Sequence, residues 1–508
     1  MKKIIAIALC FLFTLSLAAC GGGDEWEEEI IWEEVVVSGE SNQGDDKQDG
    51  EETLTSKEQS GNNKVDIVEK ENEGLIDSKE LTPQEKLFDK QKGALQGSTV
   101  VVVWGSMDDD KNYPQTKYAV TQLKEKWGVT VEPVVYSNDQ LPKMIPTLVY
   151  SGNPPDVAHA ATTNLVRYVY ANLATPLDNY IVTDDPVWDN GEAFEGFKIN
   201  GKTYGISWNT VLNNNFFVWY NKTYLKEKGA EDPYTLYKAG KWDTEAFKRV
   251  AKKAVSYQAN GKDVATYGAY SWDPSVFLAM YGATGVTEDA NGKWSVTIDS
   301  ANAMKGLQMI RDLSVDGALK INSLGKDATD TSFKDRKMAM VLERNKNAIG
   351  NYDYYNTMND EIGMVPLPMA PDGKYYGYTV ADGSFLLNKG KNPLAAVAYR
   401  YYDRLFTQHT SRDEQLAAGY DTYEKTVIST EHEKIANEFI DKICAKPLDD
   451  KLYALNNWVQ GNRLSTAFWN SLTVDGKQPA QVVDSAKSVI EKCLKETVGL
   501  GNVKNEKK

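Results

Sequence analysis

The amino-acid sequence predicts an α/β fold, because a strand, a helix and a second strand follow one another from residue 99 onwards. The first strand is Thr99–Trp104, a continuous run of apolar and β-branched residues typical of a strand buried on both faces of a sheet. A helical stretch from about Gln115 to Trp127 comes next, and residues 129–135 supply the second strand. Such a βαβ unit implies a parallel sheet covered by helices.

The rest of the chain keeps this mixed character. Apolar residues at helical spacing predict helices at residues 243–257, 300–315, 393–406 and 479–496. The pair Asn291-Gly292 precedes the alternating segment 295–298 and predicts a β-hairpin, because this dipeptide suits a tight turn between antiparallel strands. The length of 508 residues allows up to about three domains. The sequence shows no internal repeat.

The amino terminus has the pattern of an export signal. Lys2 and Lys3 precede the apolar run 4–17, which is too short for a permanent membrane span. The run ends in Leu17-Ala18-Ala19-Cys20, which resembles the lipobox of bacterial lipoproteins, whose cysteine becomes the lipid-modified first residue. We therefore expect a signal peptide over 1–19 and a chain held at the outer face of the membrane by lipid on Cys20 alone. The alternative is an ordinary signal peptide with a chance cysteine.

The segment that follows is strongly acidic. Residues 21–97 carry 22 Asp and Glu against eight Lys, which accounts for most of the net charge of −15. Scattered glycines and the absence of a sustained apolar pattern predict a disordered linker over 20–97, ahead of a folded domain over 98–508. Because the folded part is nearly neutral, it offers phosphate backbones no electrostatic footprint, and we expect no binding to nucleic acid.

Catalytic and metal-binding signatures are sparse. The three histidines lie far apart in the sequence, and neither a nucleophile elbow, a zinc-protease helix, a P-loop nor a dinucleotide fingerprint is present. We expect no metal, no cofactor and no catalysis, although a glycosidase needs only two carboxylates, and a chain with 72 acidic residues leaves that alternative open. Cys444 and Cys493 are the two cysteines left for the folded part, as a disulfide or as two separate buried thiols.

Five segments, in order, carry a likeness to a known family. They are Val103-Trp104-Gly105; Gly152-Asn153-Pro154-Pro155-Asp156-Val157 with Leu173-Ala174-Thr175-Pro176-Leu177-Asp178; Gly201-Lys202-Thr203-Tyr204-Gly205-Ile206-Ser207-Trp208 with Trp219-Tyr220-Asn221-Lys222; Gly240-Lys241-Trp242-Asp243-Thr244-Glu245-Ala246-Phe247; and Ile362-Gly363-Met364-Val365-Pro366-Leu367-Pro368. Together they resemble the family-1 extracellular solute-binding proteins, the carbohydrate-binding lipoproteins of ABC importers related to maltodextrin-binding proteins.

The resemblance implies a two-lobed fold of the periplasmic-binding-protein type, class II, with a hinge that closes the lobes over a ligand. Lobe one would comprise residues 98–212 and 377–445, and lobe two residues 213–376 and 446–502. Several chain segments would cross between the lobes. The acidic linker would precede this domain as a tether.

The resemblance also points to ligand-binding residues. Thr466-Ala467-Phe468-Trp469 is similar to the Ser-Ala-Phe-Trp segment of maltodextrin-binding proteins, whose Trp stacks on a sugar ring, so Trp469 is the first candidate. A buried Trp that packs helices is the alternative. Asn214 lies about where the family places a cleft-facing acidic residue, and an Asn there keeps hydrogen bonding but removes the charge.

Aromatic residues beside polar ones supply the other candidates, since sugar rings pack their C–H faces on aromatic rings while their hydroxyls need polar partners. Trp104, Trp208 and Trp272 fit this description, each with packing or loop anchoring as its alternative. Arg344 either pairs with Glu343 at the surface or reaches an acidic sugar as a bidentate donor. Residues 160–164 and 341–346 depart from the maltodextrin-binding pattern, which makes maltose an unexpected ligand.

The sequence thus predicts a monomeric, lipid-anchored protein that captures an oligosaccharide and delivers it to the permease subunits of an ABC importer, without chemistry of its own. Three alternatives stay open at this point. The same fold could bind a peptide, a phospho-compound or a polyamine; the protein could be a surface-anchored enzyme that degrades glycans; or it could be an adhesin or a sensor.

Overall fold

The structure is a computed structural model that describes residues 80–104, 114–136, 140–161, 165–209, 214–289, 292–321, 330–345, 358–410 and 463–502, together with 435, 438, 439 and 448. All of these residues belong to one unit, Lys70–Lys508. The α-helices are α1 Pro83–Lys90, α2 Lys92–Leu95, α3 Pro114–Trp127, α4 Leu141–Ser151, α5 Leu165–Tyr170, α6 Lys222–Glu227, α7 Pro233–Lys238, α8 Thr244–Ala254, α9 Ser275–Ala279, α10 Ala301–Val315, α11 Asp330–Lys334, α12 Pro393–His409, α13 Arg463–Thr473 and α14 Pro479–Asn502. The strands are β1 Thr99–Trp104, β2 Thr130–Val135, β3 Val157–Ala161, β4 Lys198–Ile199, β5 Lys202–Thr203, β6 Gly205–Ser207, β7 Phe216–Asn221, β8 Ser256–Tyr257, β9 Val264–Ser271, β10 Val286–Glu288, β11 Trp294–Val296, β12 Leu319–Ile321, β13 Met338–Arg344, β14 Ile362–Pro366 and β15 Asp382–Leu386.

The predicted βαβ unit is confirmed, and it starts the first sheet. β1 pairs in parallel with β2 from Thr99 opposite Thr130, and α3 connects the two strands. The sheet has the order β2-β1-β3-β15-β6, in which β15 runs antiparallel to both of its neighbours. Val100, Leu123 and Trp127 are buried between this sheet and its helices, as expected for an apolar strand covered by a helix.

The second sheet has the order β12-β9-β13-β7-β14, and β8 pairs with β9 beside it. β12, β9 and β13 are parallel, whereas β7 runs antiparallel to β13 and to β14. Every residue of β7 is buried, as expected for a strand that is paired on both sides, with β13 and β14. The helices predicted at 243–257 and 300–315 are confirmed as α8 and α10, and Asp243 and Ser300 cap their amino ends.

The chain passes between the two sheets at residues 208–215 and returns at residues 367–381. These crossing segments touch each other, because Asn215 forms a bridge with Thr379. The described residue Leu448 forms a bridge beside them, since its carbonyl accepts the Thr379 N–H at 3.1 Å and its own N–H donates to Gly377 at 2.8 Å. These contacts lie where the resemblance implied a hinge. The lobe limits stay predictions, which the positions of these crossings support.

The predicted hairpin is confirmed as β10 and β11, paired antiparallel with Thr287 opposite Ser295. Gly292 in its turn has a φ of +75°, and a Cβ there would lie 2.0 Å from the Oδ1 atom of Asn200 in the turn between β4 and β5. Only glycine therefore allows the two turns to meet. The contact is completed by Glu288, whose Oε1 accepts the Asn200 N–H at 2.8 Å, and by Trp294, whose Nε1 donates to the Tyr170 hydroxyl at 2.9 Å.

The linker was predicted to end at residue 97, but the structure has a helix well before that residue. Thr82 and Glu85 form a capping box that starts α1, and this helix packs on the first sheet's helices. Phe88 is fully buried, with its ring edge-on to Trp127 at 5.9 Å and to Tyr401 at 5.5 Å. The folded part therefore begins near Thr82, because these buried apolar contacts outweigh the acidic composition of the segment. Residues 20–79 lie outside the described residues, so the rest of the tether stays a prediction.

The motif residue Asp156 has a structural role. Its carboxylate accepts the Val101 N–H at 2.8 Å and the Asn392 N–H at 2.6 Å, which ties β1 to the chain that enters α12. The predicted helices at 393–406 and 479–496 are confirmed as α12 and α14. Cys20 and Cys444 lie outside the described residues and the Cys493 side chain is not described, so lipidation and the disulfide stay predictions. Within the described ranges, no helix has both the length and the apolar character that a membrane crossing requires.

Candidate functional site

The candidate site lies where the ends of the two sheets meet at the hinge. On the first sheet, β6 ends at Ser207, beside the start of β15 at Asp382 and Gly383. On the second sheet, β9 ends at Ser271 and β13 ends at Arg344. Parallel strands present their carboxyl ends on one edge of a sheet, and that edge is where α/β proteins bind ligands. Arg344 at the end of β13 donates to Asp382 at the start of β15 at 2.9 Å, so the two edges lie close together.

Trp208 follows β6 on the first edge and is half-buried. Its backbone N–H donates to the carbonyl of Asp382 at 3.0 Å, and its indole Nε1 donates to the hydroxyl of Ser384 at 2.8 Å. The guanidinium carbon of Arg400 lies 5.3 Å from the ring centre, within the range of a cation–π contact. These contacts fix one side of the indole, so Trp208 forms a rigid aromatic wall at this edge.

Trp272 occupies the corresponding position after β9 on the second edge and is also half-buried. Its ring lies 5.5 Å from the Phe216 ring, and the guanidinium carbon of Arg344 lies 5.4 Å from its centre. Each edge therefore presents one tryptophan next to one arginine. The sequence predicted both tryptophans, whereas Arg400 was not among its candidates.

Arg344 connects the two edges. Its Nη1 donates to the Asp382 carboxylate at 2.9 Å and to the Val380 carbonyl at 3.1 Å, so a residue of the second sheet is held at the start of β15 in the first. The predicted pair with Glu343 is present, with Arg344 Nε 3.9 Å from Glu343 Oε1, but it does not lie at the surface. Glu343 is fully buried, the Arg344 side chain is 12% exposed, and Glu343 Oε1 also accepts the Arg344 backbone N–H at 2.7 Å.

The hinge segment contributes Asn214 and Asn215, which are both buried. Asn214 donates from Nδ2 to the Ser207 hydroxyl at 2.9 Å, and Asn215 accepts the Tyr378 N–H at Oδ1 at 3.1 Å. Asn214 Oδ1 and Asn215 Nδ2 have no hydrogen-bond partner among the residues that the structure describes. A buried acceptor and a buried donor without partners are suited to the hydroxyl groups of a bound ligand.

A buried carboxylate lies beneath these hinge residues. Asp273 accepts the Tyr378 hydroxyl at 2.6 Å and the Ser275 N–H at 2.9 Å. Burial raises the pKa of Asp273, and the hydrogen bonds from Tyr378 and Ser275 act in the opposite direction. Since Tyr378 also contacts Asn215, this carboxylate links the end of β9 to the crossing segments. The Trp272-Asp273 pair was the sequence signal for this position.

A second polar cluster lies behind Trp208. Arg404 donates to the carbonyls of Val187 at 2.8 Å and Ser207 at 3.0 Å, and it pairs with Asp189. Burial by itself would raise the pKa of Asp189, but the hydrogen bond from His409 and the charge of Arg404 hold that pKa below its usual value. Arg404 thus anchors the end of β6 and holds the backbone that carries Trp208. Sequence reasoning missed this cluster, since the pattern of α12 predicts only a helix that packs on the core.

Trp469 and Trp104 complete the predicted set. Trp469 is 3% exposed and lies in the main hydrophobic cluster, with its ring edge-on to Phe468 at 4.6 Å. This burial is what the helix-packing alternative predicts, and a ligand contact stays a prediction. Trp104 ends β1 at the first edge, and its side chain is outside the described ones. No cluster of three or more metal-ligating side chains is found in the described ranges.

Structural comparison identifies the fold. The chain is similar to the GacH receptor of Streptomyces glaucescens, solved unliganded and with acarbose, with 18% identity over 78% of this chain and 98% of that one and a TM-score of 0.54. It is also similar to an ABC substrate-binding protein of Listeria monocytogenes in complex with cycloalternan, with 15% identity, 78% and 99% coverage and a TM-score of 0.56. The fold is the two-lobed fold of these solute-binding proteins.

The family follows from the sequence match. The family described as bacterial extracellular solute-binding protein matches residues 118–419, and the chain belongs to it. Binding proteins of Brucella abortus and Brucella suis are 23% identical over 288 residues. These matches span 56% of this chain and 66% of each relative, which is just under two thirds of the relatives' length.

Proposed function

We propose that this protein captures an oligosaccharide between its two sheet edges and delivers it to an ABC importer. The observation that carries the proposal is the pair of half-buried tryptophans, Trp208 and Trp272, on two sheet edges that the Arg344–Asp382 contact holds together. A sugar ring between two aromatic walls packs both of its C–H faces, and hinge closure removes it from water.

The polar groups at the hinge support a hydroxylated ligand. Asn214 Oδ1 and Asn215 Nδ2 offer one acceptor and one donor within a buried region, and each requires a partner to offset the cost of desolvation. Similar proteins are described with acarbose, cycloalternan and lacto-N-biose, which are all carbohydrates. The site supports a binding role, and the lipid on Cys20 would keep a monomeric protein at the outer face of the membrane beside its importer.

The test is a binding screen that also looks for turnover. The purified protein is titrated calorimetrically with neutral and acidic oligosaccharides, peptides, phosphorylated sugars and polyamines, and each mixture is analysed for cleaved product. We expect stoichiometric binding of an oligosaccharide without turnover, together with a smaller radius of gyration as the hinge closes. Binding of a non-sugar solute alone would contradict the proposal, and release of shortened glycans would establish the enzyme instead.

Delivery needs a separate measurement. Uptake of the radiolabelled sugar is compared between cells that have the gene and cells that lack it. Loss of uptake on deletion, with recovery on complementation, is expected of an importer's binding protein. Unchanged uptake would mean that the protein binds the sugar for another purpose.

A further inference from the structure

Two arginines one turn apart on α12 are buried, and they differ in how their donors are used. Arg404 is fully buried, and all three of its guanidinium nitrogens have acceptors: Nε with Val187, Nη1 with Ser207 and Asn209, and Nη2 with Asp189. This is the normal state of a buried guanidinium, whose five N–H groups are costly to leave without acceptors.

Arg400 does not reach that state. Its side chain is 6% exposed, and among the described residues its Nη1 pairs with the Asp403 carboxylate at 3.3 Å. Its Nε and Nη2 are buried and have no hydrogen-bond partner in the part of the chain that the structure describes. These two nitrogens lie on the same side of the guanidinium, and together they form the fork that grips both oxygens of a carboxylate.

The fork formed by Nε and Nη2 of Arg400 lies next to the candidate site. The Arg400 guanidinium carbon is 5.3 Å from the centre of the Trp208 ring, and Trp208 is the aromatic wall of the first edge. Contact with an aromatic ring uses the charge of the guanidinium and leaves its N–H donors available. A ligand bound at the first edge beside Trp208 therefore lies close to the Arg400 guanidinium.

We propose that Arg400 binds the carboxylate of an acidic sugar, and that the ligand of this protein is a uronate-containing oligosaccharide. The inference rests on the proposed function and specifies its substrate class. Arg344, the arginine that the sequence suggested for this role, is committed to Asp382 and to the Val380 carbonyl instead. A neutral sugar would leave the Arg400 fork with hydroxyl acceptors alone, whereas a planar carboxylate matches both donors and the charge.

The test compares acidic oligosaccharides with uncharged versions of the same molecules. Calorimetric titrations use trigalacturonate and trimannuronate, their methyl esters, and neutral galactose and mannose trisaccharides, at fixed pH and salt. We expect at least one acid to bind and its ester to bind at least about tenfold more weakly. Arg400→Gln and Arg400→Lys should weaken binding of the acid about 10- to 100-fold, because Lys keeps the charge but lacks the fork. Both variants should weaken binding of the ester less than binding of the acid, because the ester loses only the support that Arg400 gives to Trp208.

Arg249→Gln is the matched control, since Arg249 is exposed and paired with Glu231 far from the cluster on α12. Circular dichroism and thermal melting establish that each variant is folded, and the acid-to-ester comparison needs no variant at all. Equal affinity for acids and esters, binding of neutral sugars alone, or unchanged affinity in both Arg400 variants would overturn the inference while leaving carbohydrate capture intact. If no sugar of any kind binds, the proposed function falls together with it.

Discussion

Truncation of Trp469 tests whether this side chain contacts the ligand or packs in the interior of the protein. The sequence pattern makes Trp469 a sugar-stacking residue, but its side chain is 3% exposed and lies in the main hydrophobic cluster. Truncation of a buried Trp to Ala costs about 3–5 kcal/mol in the free energy of unfolding. The edge-on contact with Phe468 at 4.6 Å contributes about 0.5–1.5 kcal/mol of that amount. We therefore expect Trp469→Ala to destabilise the ligand-free protein by about 3–5 kcal/mol.

Trp208→Ala is the matched comparison, because Trp208 is half-buried and stands at the sheet edge. Its truncation removes the hydrogen bond to Ser384 and the cation–π contact with Arg400, so we expect a stability loss of only about 1–2 kcal/mol. Binding should instead weaken by about 1–3 kcal/mol, which is the value of aromatic burial against a sugar ring. We therefore expect Trp469→Ala mainly to lower stability and Trp208→Ala mainly to weaken binding.

Both quantities are measured on the same preparations. Urea unfolding of the ligand-free variants gives the free energy of unfolding, and calorimetric titration with the sugar identified in the screen gives the affinity. If Trp469→Ala unfolds at the parental urea concentration and has lost its affinity, the argument from burial is refuted and Trp469 contacts the ligand. If Trp208→Ala binds like the parent, the first edge is not the binding wall.

Four further predictions follow from the structure and the sequence. Phe88→Ala should lower the free energy of unfolding by about 3–5 kcal/mol, whereas Leu81→Ala, at an exposed position, should change it by less than about 0.5 kcal/mol. Equal urea midpoints for the two variants would mean that α1 is not part of the folded domain. Cys20→Ala should move the protein from the membrane fraction to the medium or leave it as unprocessed precursor, and firm membrane retention of a processed variant would disprove lipid anchoring. Thiol titration of the denatured, unreduced protein tests the pairing of Cys444 with Cys493, since a bonded pair gives no reaction and two reactive thiols rule the bond out. Because the folded pKa of Asp189 lies below its unfolded value, its contribution to stability is present above about pH 4 and is lost as pH falls through the folded pKa; Asp189→Asn should flatten this acid-side decline in urea unfolding, and an unchanged slope would exclude Asp189 as its source.

Local patterns in the sequence were enough to predict the elements that local interactions determine. The strand Thr99–Trp104, the hairpin of β10 and β11 and the helices α8, α10, α12 and α14 were predicted close to their observed positions. The start of the folded part was predicted wrongly, because average composition was given more weight than the local signal. Thr82-Pro83-Gln84-Glu85 has the spacing of a capping box with proline at the first helical position, and that signal would have located α1.

The site was only partly accessible to sequence reasoning. Trp208, Trp272 and Asn214 could be selected because each is adjacent in sequence to a strand end or a crossing. Arg400 could not, since its relation to Trp208 depends on how α12 packs on the first sheet. Likewise, Arg344 pairs with its sequence neighbour Glu343 and also with Asp382, and the second contact depends on the packing of β13 near β15. Contacts between distant segments decide the chemistry here.

The position of β15 in the first sheet has a consequence for how the chain must fold. β15 lies between β3 and β6, with Leu386 opposite Val157 and Gly383 opposite Ser207, although the whole second sheet is encoded in between. The first sheet is incomplete until β15 inserts between β3 and β6. Until then, both of these strands have an unpaired edge. Pairings of such high sequence separation slow folding, and exposed edges favour aggregation. A chain truncated before Asp382 should consequently aggregate instead of yielding a stable half.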